Sequence, residues 1–142
     1  MSAIPENILN DFLLYLLNKV EEGSLTNYPT FNIYSEGGVD KGTLLASFIL
    51  PTPAFSRPSA LQANLLIPRD RGLSTIAING GTAKEYAILN KNQQIIFYGG
   101  LGGPGTRNSK VGSLRVDVEV NIPIIRKEDP LALTSFSLKF PT

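Results

Sequence analysis

The amino-acid sequence predicts a mainly β protein, an antiparallel β-sandwich of about eight short strands with one N-terminal α-helix. Apolar residues recur at helical intervals only near the N-terminus, which indicates one amphipathic helix. From residue 30 onward, short alternating runs are separated by turn residues, as in a sandwich. The chain of 142 residues is long enough to bury a core without disulfides. We therefore expect a single domain over residues 1–142, with the helix in residues 1–23 and the sandwich in residues 30–142.

The predicted helix spans residues 5–22. Pro5 suits its first position, and Gly23 can adopt the left-handed conformation that ends a helix. Leu14 interrupts the polar side and Tyr15 lies at its margin, so the helix is more apolar than one buried flank requires. It is expected to contact either a second subunit as well as its own domain, or a deep groove within that domain. Its apolar face consists of Ile8, Leu9, Phe12, Leu13, Leu16, Leu17 and Val20.

Alternation and turn residues locate the strands. Residues 114–120 form the clearest one, because valine and leucine alternate with charged residues as in an antiparallel sheet with one solvated face. Residues 90–92 are expected to join two strands as a hairpin. Three prolines between residues 51 and 58 exclude a central strand there, since proline lacks the backbone N–H. The other predicted strands are residues 30–34, 42–50, 60–67, 74–78, 83–89, 94–98 and 134–140.

The composition excludes several kinds of chemistry. The chain has no His and no Cys, so a Ser-His-Asp triad, a thiolate nucleophile and a Cys/His zinc site are all impossible. A net charge of +1 gives no general attraction to nucleic acid or to an anionic membrane. The longest apolar run, from Phe12 to Leu17, is far shorter than the ~20 residues that span a bilayer. We expect a soluble, unprocessed chain with no catalytic residues, no metal site, no cofactor, and no nucleic-acid or membrane partner.

Three short patterns have both a chemical and a structural interpretation. Residues 100–105 have the GxGxxG spacing of a dinucleotide site, but a polar loop follows where that site needs a helix. We interpret them as a wide hairpin loop that lies against a neighbouring subunit. Asp117 and Glu119 could form an acid–base pair, although alternating charges are ordinary on a solvated sheet face. The acidic turn at residues 35–40 matches no EF-hand spacing and is interpreted as a plain loop.

The helix and the glycine-rich loop supply the candidate contacts with other subunits. The apolar helix offers more surface than its own domain needs, and the loop offers close backbone approach next to basic residues. These candidates are Phe12, Leu14, Tyr15, Gly102, Pro104 and Arg107.

The order of segments resembles that of a group of small structural proteins of tailed bacteriophages. In that group a short N-terminal helix leads to an apolar strand, then to a strand similar to residues 42–50 and a turn similar to Pro53-Ala54-Phe55. The resemblance covers nearly the whole chain and departs from the group at residues 65–72 and in the longer, more basic GGPGTRNSK loop. Its later matches are residues 81–88, 94–99, 99–102 and 133–138.

This resemblance implies a non-enzymatic virion protein, either a capsid decoration (cement) protein or a neck or tail component. Such a protein would be made in the host cytoplasm and would bind other virion proteins through its helix and its Gly/Pro loops, as a homo-oligomer or within a symmetric assembly. One alternative is a carbohydrate- or receptor-binding module on the virion surface. Its candidate aromatic platforms are Tyr28, Tyr34, Tyr86 and Tyr98. Another alternative is a small enzyme centred on Asp117 and Glu119.

Overall fold

The computed structural model describes residues 5–23, 27–59, 62–67, 73–103, 105, 110–111, 114–119, 124–133 and 136–139. This part of the chain is mainly β with one long N-terminal helix, as predicted. Helix α1 spans Glu6–Glu21 and the short α2 spans Gly38–Lys41. The strands are β1 (Thr30–Tyr34), β2 (Leu44–Ile49), β3 (Phe55–Ser59), β4 (Gln62–Leu65), β5 (Leu73–Ile76), β6 (Gly81–Thr82), β7 (Glu85–Leu89), β8 (Ile95–Gly102), β9 (Lys110–Val111), β10 (Leu114–Glu119), β11 (Ile124–Ile125), β12 (Pro130–Leu133) and β13 (Ser137–Lys139).

Six strands form the largest sheet, in the order β2-β1-β7-β8-β10-β9. β1 pairs antiparallel with both β2 and β7, and β7 pairs antiparallel with β8. The β7–β8 connection confirms the hairpin predicted at residues 90–92. The other described strands form a three-stranded sheet, β13-β4-β3, and the pairs β12-β5 and β11-β6.

Aromatic side chains from the six-stranded and three-stranded sheets meet in one core, which gives a sandwich-like arrangement. Phe31 of β1 stacks on Tyr86 of β7, with ring centroids 5.2 Å apart. Phe136, just before β13, contacts these two rings edge to face at 5.4 and 5.3 Å. Phe55 of β3 lies 6.4 Å from Phe136. Each aromatic side chain buries roughly 150–250 Å², so these rings contribute strongly to the stability of the domain.

Helix α1 packs on this core along one side. Leu13 and Val20 are 1% and 0% exposed, one helical heptad apart. Glu21, in the last turn, accepts a hydrogen bond through Oε1 from the backbone N–H of Ala54 at 2.7 Å. The helix is therefore part of the domain and not an extended arm.

The end of α1 lies against the β7–β8 turn. The backbone N–H of Lys91 donates a hydrogen bond to the carbonyl of Glu22 at 3.2 Å. Gly23 has a φ of +135°, and a Cβ at this position would lie 2.7 Å from the backbone N of Asn92. The helix ends at Glu21 and its cap residue Glu22 is already extended, so the stop lies just before the predicted Gly23. The positive φ of Gly23 and its close approach to the turn explain why glycine follows the helix end.

Strand β8 is longer than predicted, and it contains residues that we assigned to a loop. It continues through Gly100 and Leu101 to Gly102. Leu101 is fully buried, and its backbone N–H donates a hydrogen bond to the carbonyl of Lys84 at 2.8 Å. The prediction of a hairpin loop beginning at Gly100 is therefore wrong for its first three residues, because core packing of Leu101 outweighs the turn preference of the glycines.

The pairing of β10 also differs from a purely antiparallel sheet. β10 pairs parallel with β8, with Glu119 opposite Gly102. The short β9 pairs antiparallel with β10. The chain thus reverses twice between β8 and β10, once before β9 and once after it, and returns to its original direction.

The smaller strands account for the remaining differences. β3 contains Pro58 and lies at the edge of its sheet, which agrees with the prediction that this segment cannot be central. β6, β9 and β11 were not predicted, because two residues are too few to show alternation. β12 was not predicted either, and it begins at Pro130, a residue that disfavours strands. Residues 60–61, 120, 134–135 and 140 of the predicted strands lie outside the described residues.

Candidate functional site

Three apolar side chains form a solvent-exposed stripe on α1. Ile8, Phe12 and Tyr15 are 50%, 52% and 56% exposed. Their spacing of four and three residues places them on one face of the helix, beside the buried face that contains Leu13 and Val20. We call these three residues the helix stripe. Two arrangements were predicted for the apolar helix: contact with a second subunit as well as with its own domain, or burial in a deep groove of that domain. The structure shows part of the apolar surface facing solvent, so the domain does not bury all of it.

Leu14 does not belong to the helix stripe. It is 41% exposed but lies on the opposite flank, because neighbouring helical positions are about 100° apart. Lys19 continues the stripe, and its ammonium lies 5.4 Å from the centroid of the Tyr15 ring and 2.8 Å from Glu22 Oε2. The hydrogen bond that Lys19 donates to Glu22 raises the pKa of Lys19 above its usual value. The stripe therefore ends in an ion pair.

The candidate contacts in the glycine-rich segment are only partly described. Gly102 is half-buried and is the last residue of β8, paired with β10, so it does not lie in a free loop. Pro104 and Arg107 lie outside the described residues. Gly102 is therefore part of the six-stranded sheet, whereas the helix stripe belongs to α1.

A groove of about 270 Å³ lies beside the six-stranded sheet. Its walls come from α2, β1, β7 and β8, and it has apolar, aromatic and acidic residues side by side. Strand alternation places Tyr34 and Glu85, which are paired across β1 and β7, on the face opposite the Phe31–Tyr86 stack. The groove is lined by Tyr34, Gly37, Gly38, Val39, Asp40, Glu85, Tyr86, Ile95 and Tyr98.

Glu85 fixes the turn that forms one wall of this groove. Its Oε2 accepts a hydrogen bond from the backbone N–H of Gly37 at 2.8 Å. Gly38 has a φ of +59°, and a Cβ there would lie 2.7 Å from Glu85 Oε1. Glycine at this position therefore permits the close approach of the carboxylate to the backbone. The acidic segment predicted as a plain loop contains the short helix α2, with Asp40 exposed at the groove.

The four candidate tyrosines have different environments. Tyr86 is 3% exposed and stacks on Phe31 in the core. Tyr34 is 7% exposed, and its hydroxyl accepts a hydrogen bond from Asn32 Nδ2 at 3.0 Å. Tyr98 is 65% exposed and presents its ring to solvent at the groove. Tyr28 is 57% exposed and lies elsewhere, in an open apolar depression. Among them, Tyr98 alone combines an exposed ring with the groove.

Two apolar residues of the groove, Val39 and Ile95, are each 43% exposed and were not among the predicted site residues. Ile95 pairs with Leu89 across a β-bulge, and the next two residues, Ile96 and Phe97, both pack against the core, so strict alternation does not predict the exposure of Ile95. The exposure of Val39 depends on the short α2, which has no periodic signal in the sequence.

A second apolar surface lies away from the groove. Ile49 and Leu66 are 63% and 38% exposed and flank Tyr28 in a shallow depression. Single exposed apolar residues are normal, but contiguous ones are typical of protein interfaces. The depression is completed by Leu50, Pro51, Ile67 and Leu73.

The described residues also bear on metal, membrane and acid–base chemistry. They contain no group of three or more acidic residues that could hold a metal ion. Within the same residues, no helix has the length and apolar character needed to cross a bilayer. Asp117 and Glu119 lie on β10, and their side chains lie outside the description.

Comparison of the whole chain with protein-family models, with curated proteins and with solved structures finds no match.

Proposed function

We propose that this chain is a non-enzymatic structural protein of a tailed-bacteriophage virion, either a capsid decoration protein or a neck or tail component. The helix stripe is the observation that supports this proposal most strongly. A protein that acts by packing against other subunits needs a rigid core and an exposed apolar element. The described fold has both, and the order of its segments resembles that of the phage proteins named above.

The helix stripe has the composition of a docking surface. Ile8 and Tyr15 are both at least half exposed, although they flank a buried helix face that already anchors α1. Interfaces are enriched in aromatic residues, and a few central apolar side chains usually contribute most of the binding energy. The neighbouring ion pair of Lys19 with Glu22 gives this surface a polar rim.

Substitution of the helix stripe tests this proposal. The double substitution Ile8→Asp and Tyr15→Asp places two charges on the stripe and leaves the buried Leu13 and Val20 unchanged. We expect at least about a tenfold lower content of the variant in purified particles of the encoding phage, because each lost anchor costs about 1–2 kcal/mol of binding. Quantitative mass spectrometry of the particles gives the measurement.

A matched control is Ile124→Asp, because Ile124 is 65% exposed on β11 and lies outside the helix. This variant should enter particles at the wild-type level. Circular dichroism of both purified variants should show the wild-type fold. Wild-type incorporation of the double variant would contradict docking through the stripe.

A carbohydrate- or receptor-binding module on the virion surface is the second candidate. The observation that favours it is the exposed ring of Tyr98 beside the groove carboxylates. A glycan array with the purified protein separates the two candidates, since a specific sugar signal that Tyr98→Ala removes would support the binding module. The absence of any signal at high protein concentration would leave assembly as the better account.

A further inference from the structure

We propose that the groove beside the six-stranded sheet binds a basic side chain, arginine or lysine, presented by a partner protein. This inference goes beyond docking through the helix stripe, because it uses a different surface and names the chemistry of the contact. It rests on the proposed function only in taking the partner to be a protein. Three observations support it: the charge of the groove, its exposed aromatic ring, and its size.

The groove has two carboxylates and no described basic residue in its lining. Asp40 and Glu85 both line it. Lys41 and Lys84, the chain neighbours of these two acids, are not among the lining residues and form no ion pair with them in the described part of the chain. Since no lining cation offsets the two negative charges, an entering cation is attracted to them. Glu85 uses one oxygen for Gly37, and a carboxylate has about four acceptor positions, so it can accept further hydrogen bonds from a guanidinium or an ammonium.

The aromatic ring of Tyr98 lies close enough to share one cation with Glu85. Tyr98 is paired with Ala87, and Glu85 is paired with Gly100, so Tyr98 and Glu85 are diagonal neighbours on β8 and β7. Diagonal neighbours in an antiparallel sheet are about 7–8 Å apart. A cation between them is within about 6 Å of the ring, the range of cation–π attraction. Gly100 adds no side chain to this part of the sheet.

The size and apolar margin of the groove suit one long side chain. Its volume is about 270 Å³, slightly below the roughly 300–1,000 Å³ of pockets that hold whole small ligands. Val39 and Ile95 lie at its margin and are each 43% exposed. Arginine and lysine cover such apolar surface with their methylene stems while their charged ends reach polar groups. A neutral sugar would leave both carboxylates without a counter-charge.

The test uses the intact protein labelled with ¹⁵N and the small probe N-acetyl-arginine amide. Addition of the probe should shift the backbone amide resonances of Gly37, Gly38 and Val39, and N-acetyl-lysine amide should shift the same ones. The shifts should weaken as salt is raised, because counter-ions screen the exposed carboxylates. The uncharged N-acetyl-norleucine amide, which has a similar stem, should leave these resonances unchanged.

Substitutions in the groove complete the test. Asp40→Asn and Tyr98→Ala should each raise the dissociation constant about two- to fivefold. The matched controls Asp11→Asn and Tyr28→Ala change exposed residues elsewhere and should have no effect. Equal shifts with the norleucine amide, no shifts with the arginine amide, or shifts with a neutral sugar instead would each overturn the proposal. The double variant Ile8→Asp and Tyr15→Asp should bind the probe as the wild type does. Loss of docking through the helix stripe and loss of cation binding in the groove are therefore distinguishable.

Discussion

Asn90 shows how a single buried polar residue organises this fold. It is fully buried at the end of β7. Its Oδ1 accepts hydrogen bonds from the backbone N–H groups of Asn92 and Gln94, both at 3.0 Å, and its Nδ2 donates to Gln94 Oε1 at 3.0 Å. Buried polar groups stabilise a protein only when they are paired, and here one side chain satisfies the turn. The same turn receives the end of α1 through Lys91.

Replacement of Asn90 with alanine should therefore destabilise the whole domain. Asn90→Ala removes three hydrogen bonds and leaves two turn N–H groups without their acceptor. We expect a loss of about 2–3 kcal/mol in the free energy of unfolding, measured by urea denaturation followed by circular dichroism. Asn7→Ala, at an exposed position of α1, should change it by less than about 0.5 kcal/mol. Equal stability of Asn90→Ala and wild type would show that the turn does not depend on this side chain.

At the scale of the element, α1 has two different faces. One face is anchored to the core through Leu13 and Val20, while the adjoining helix stripe faces solvent. A helix stabilised by packing loses little when an exposed residue is truncated and much when a buried residue is truncated. Leu13 and Leu14 are adjacent in sequence and identical in type, so they provide a matched pair.

The two leucines should respond differently to truncation. Leu13→Ala should reduce the free energy of unfolding by about 2–5 kcal/mol, because it creates a cavity at a position that is 1% exposed. Leu14→Ala should change it by less than about 0.5 kcal/mol. Thermal and urea denaturation measure both values. Similar losses at the two positions would contradict the orientation of the helix described above.

The elements that are determined by residues close together in sequence were predicted from that sequence. The helix was predicted at residues 5–22 and is found at Glu6–Glu21, and β1 agrees with residues 30–34. The end of β8 could not be predicted, because Gly100 to Gly102 are held in a strand by pairing with β10, which is distant in sequence. The parallel direction of β10 could not be predicted either, because it depends on the same pairing with β8.

The candidate site was predictable in part for the same reason. Helical spacing predicted Phe12 within the apolar face and Tyr15 at the margin of the polar side, and the structure shows both about half exposed. The groove was not predicted as a unit. Its residues come from α2, β1, β7 and β8, and only pairing across the sheet brings Glu85 next to Tyr98. Tertiary pairing of this kind leaves no periodic signal in one sequence.

At the scale of the whole molecule, the chain has several surfaces suited to neighbours. The helix stripe, the depression around Tyr28 and the groove beside Tyr98 are lined by different residues. A subunit of a symmetric assembly meets more than one neighbour, and each contact needs its own patch. The presence of three separate surfaces supports the proposed role in a virion. The helix stripe and the depression are apolar, whereas the groove is acidic.

Cross-linking in assembled particles tests the central claim most directly. A photoreactive benzoyl-phenylalanine replaces Tyr15, the most exposed residue of the helix stripe, and Ile124 serves as the control position. After irradiation of purified particles of the encoding phage, mass spectrometry of the cross-linked peptides identifies the contact. We predict cross-links from position 15 to one capsid, neck or tail protein or to a second copy of this chain, and few from position 124. Particles that contain the protein but give no cross-link from position 15 would contradict docking through the helix stripe.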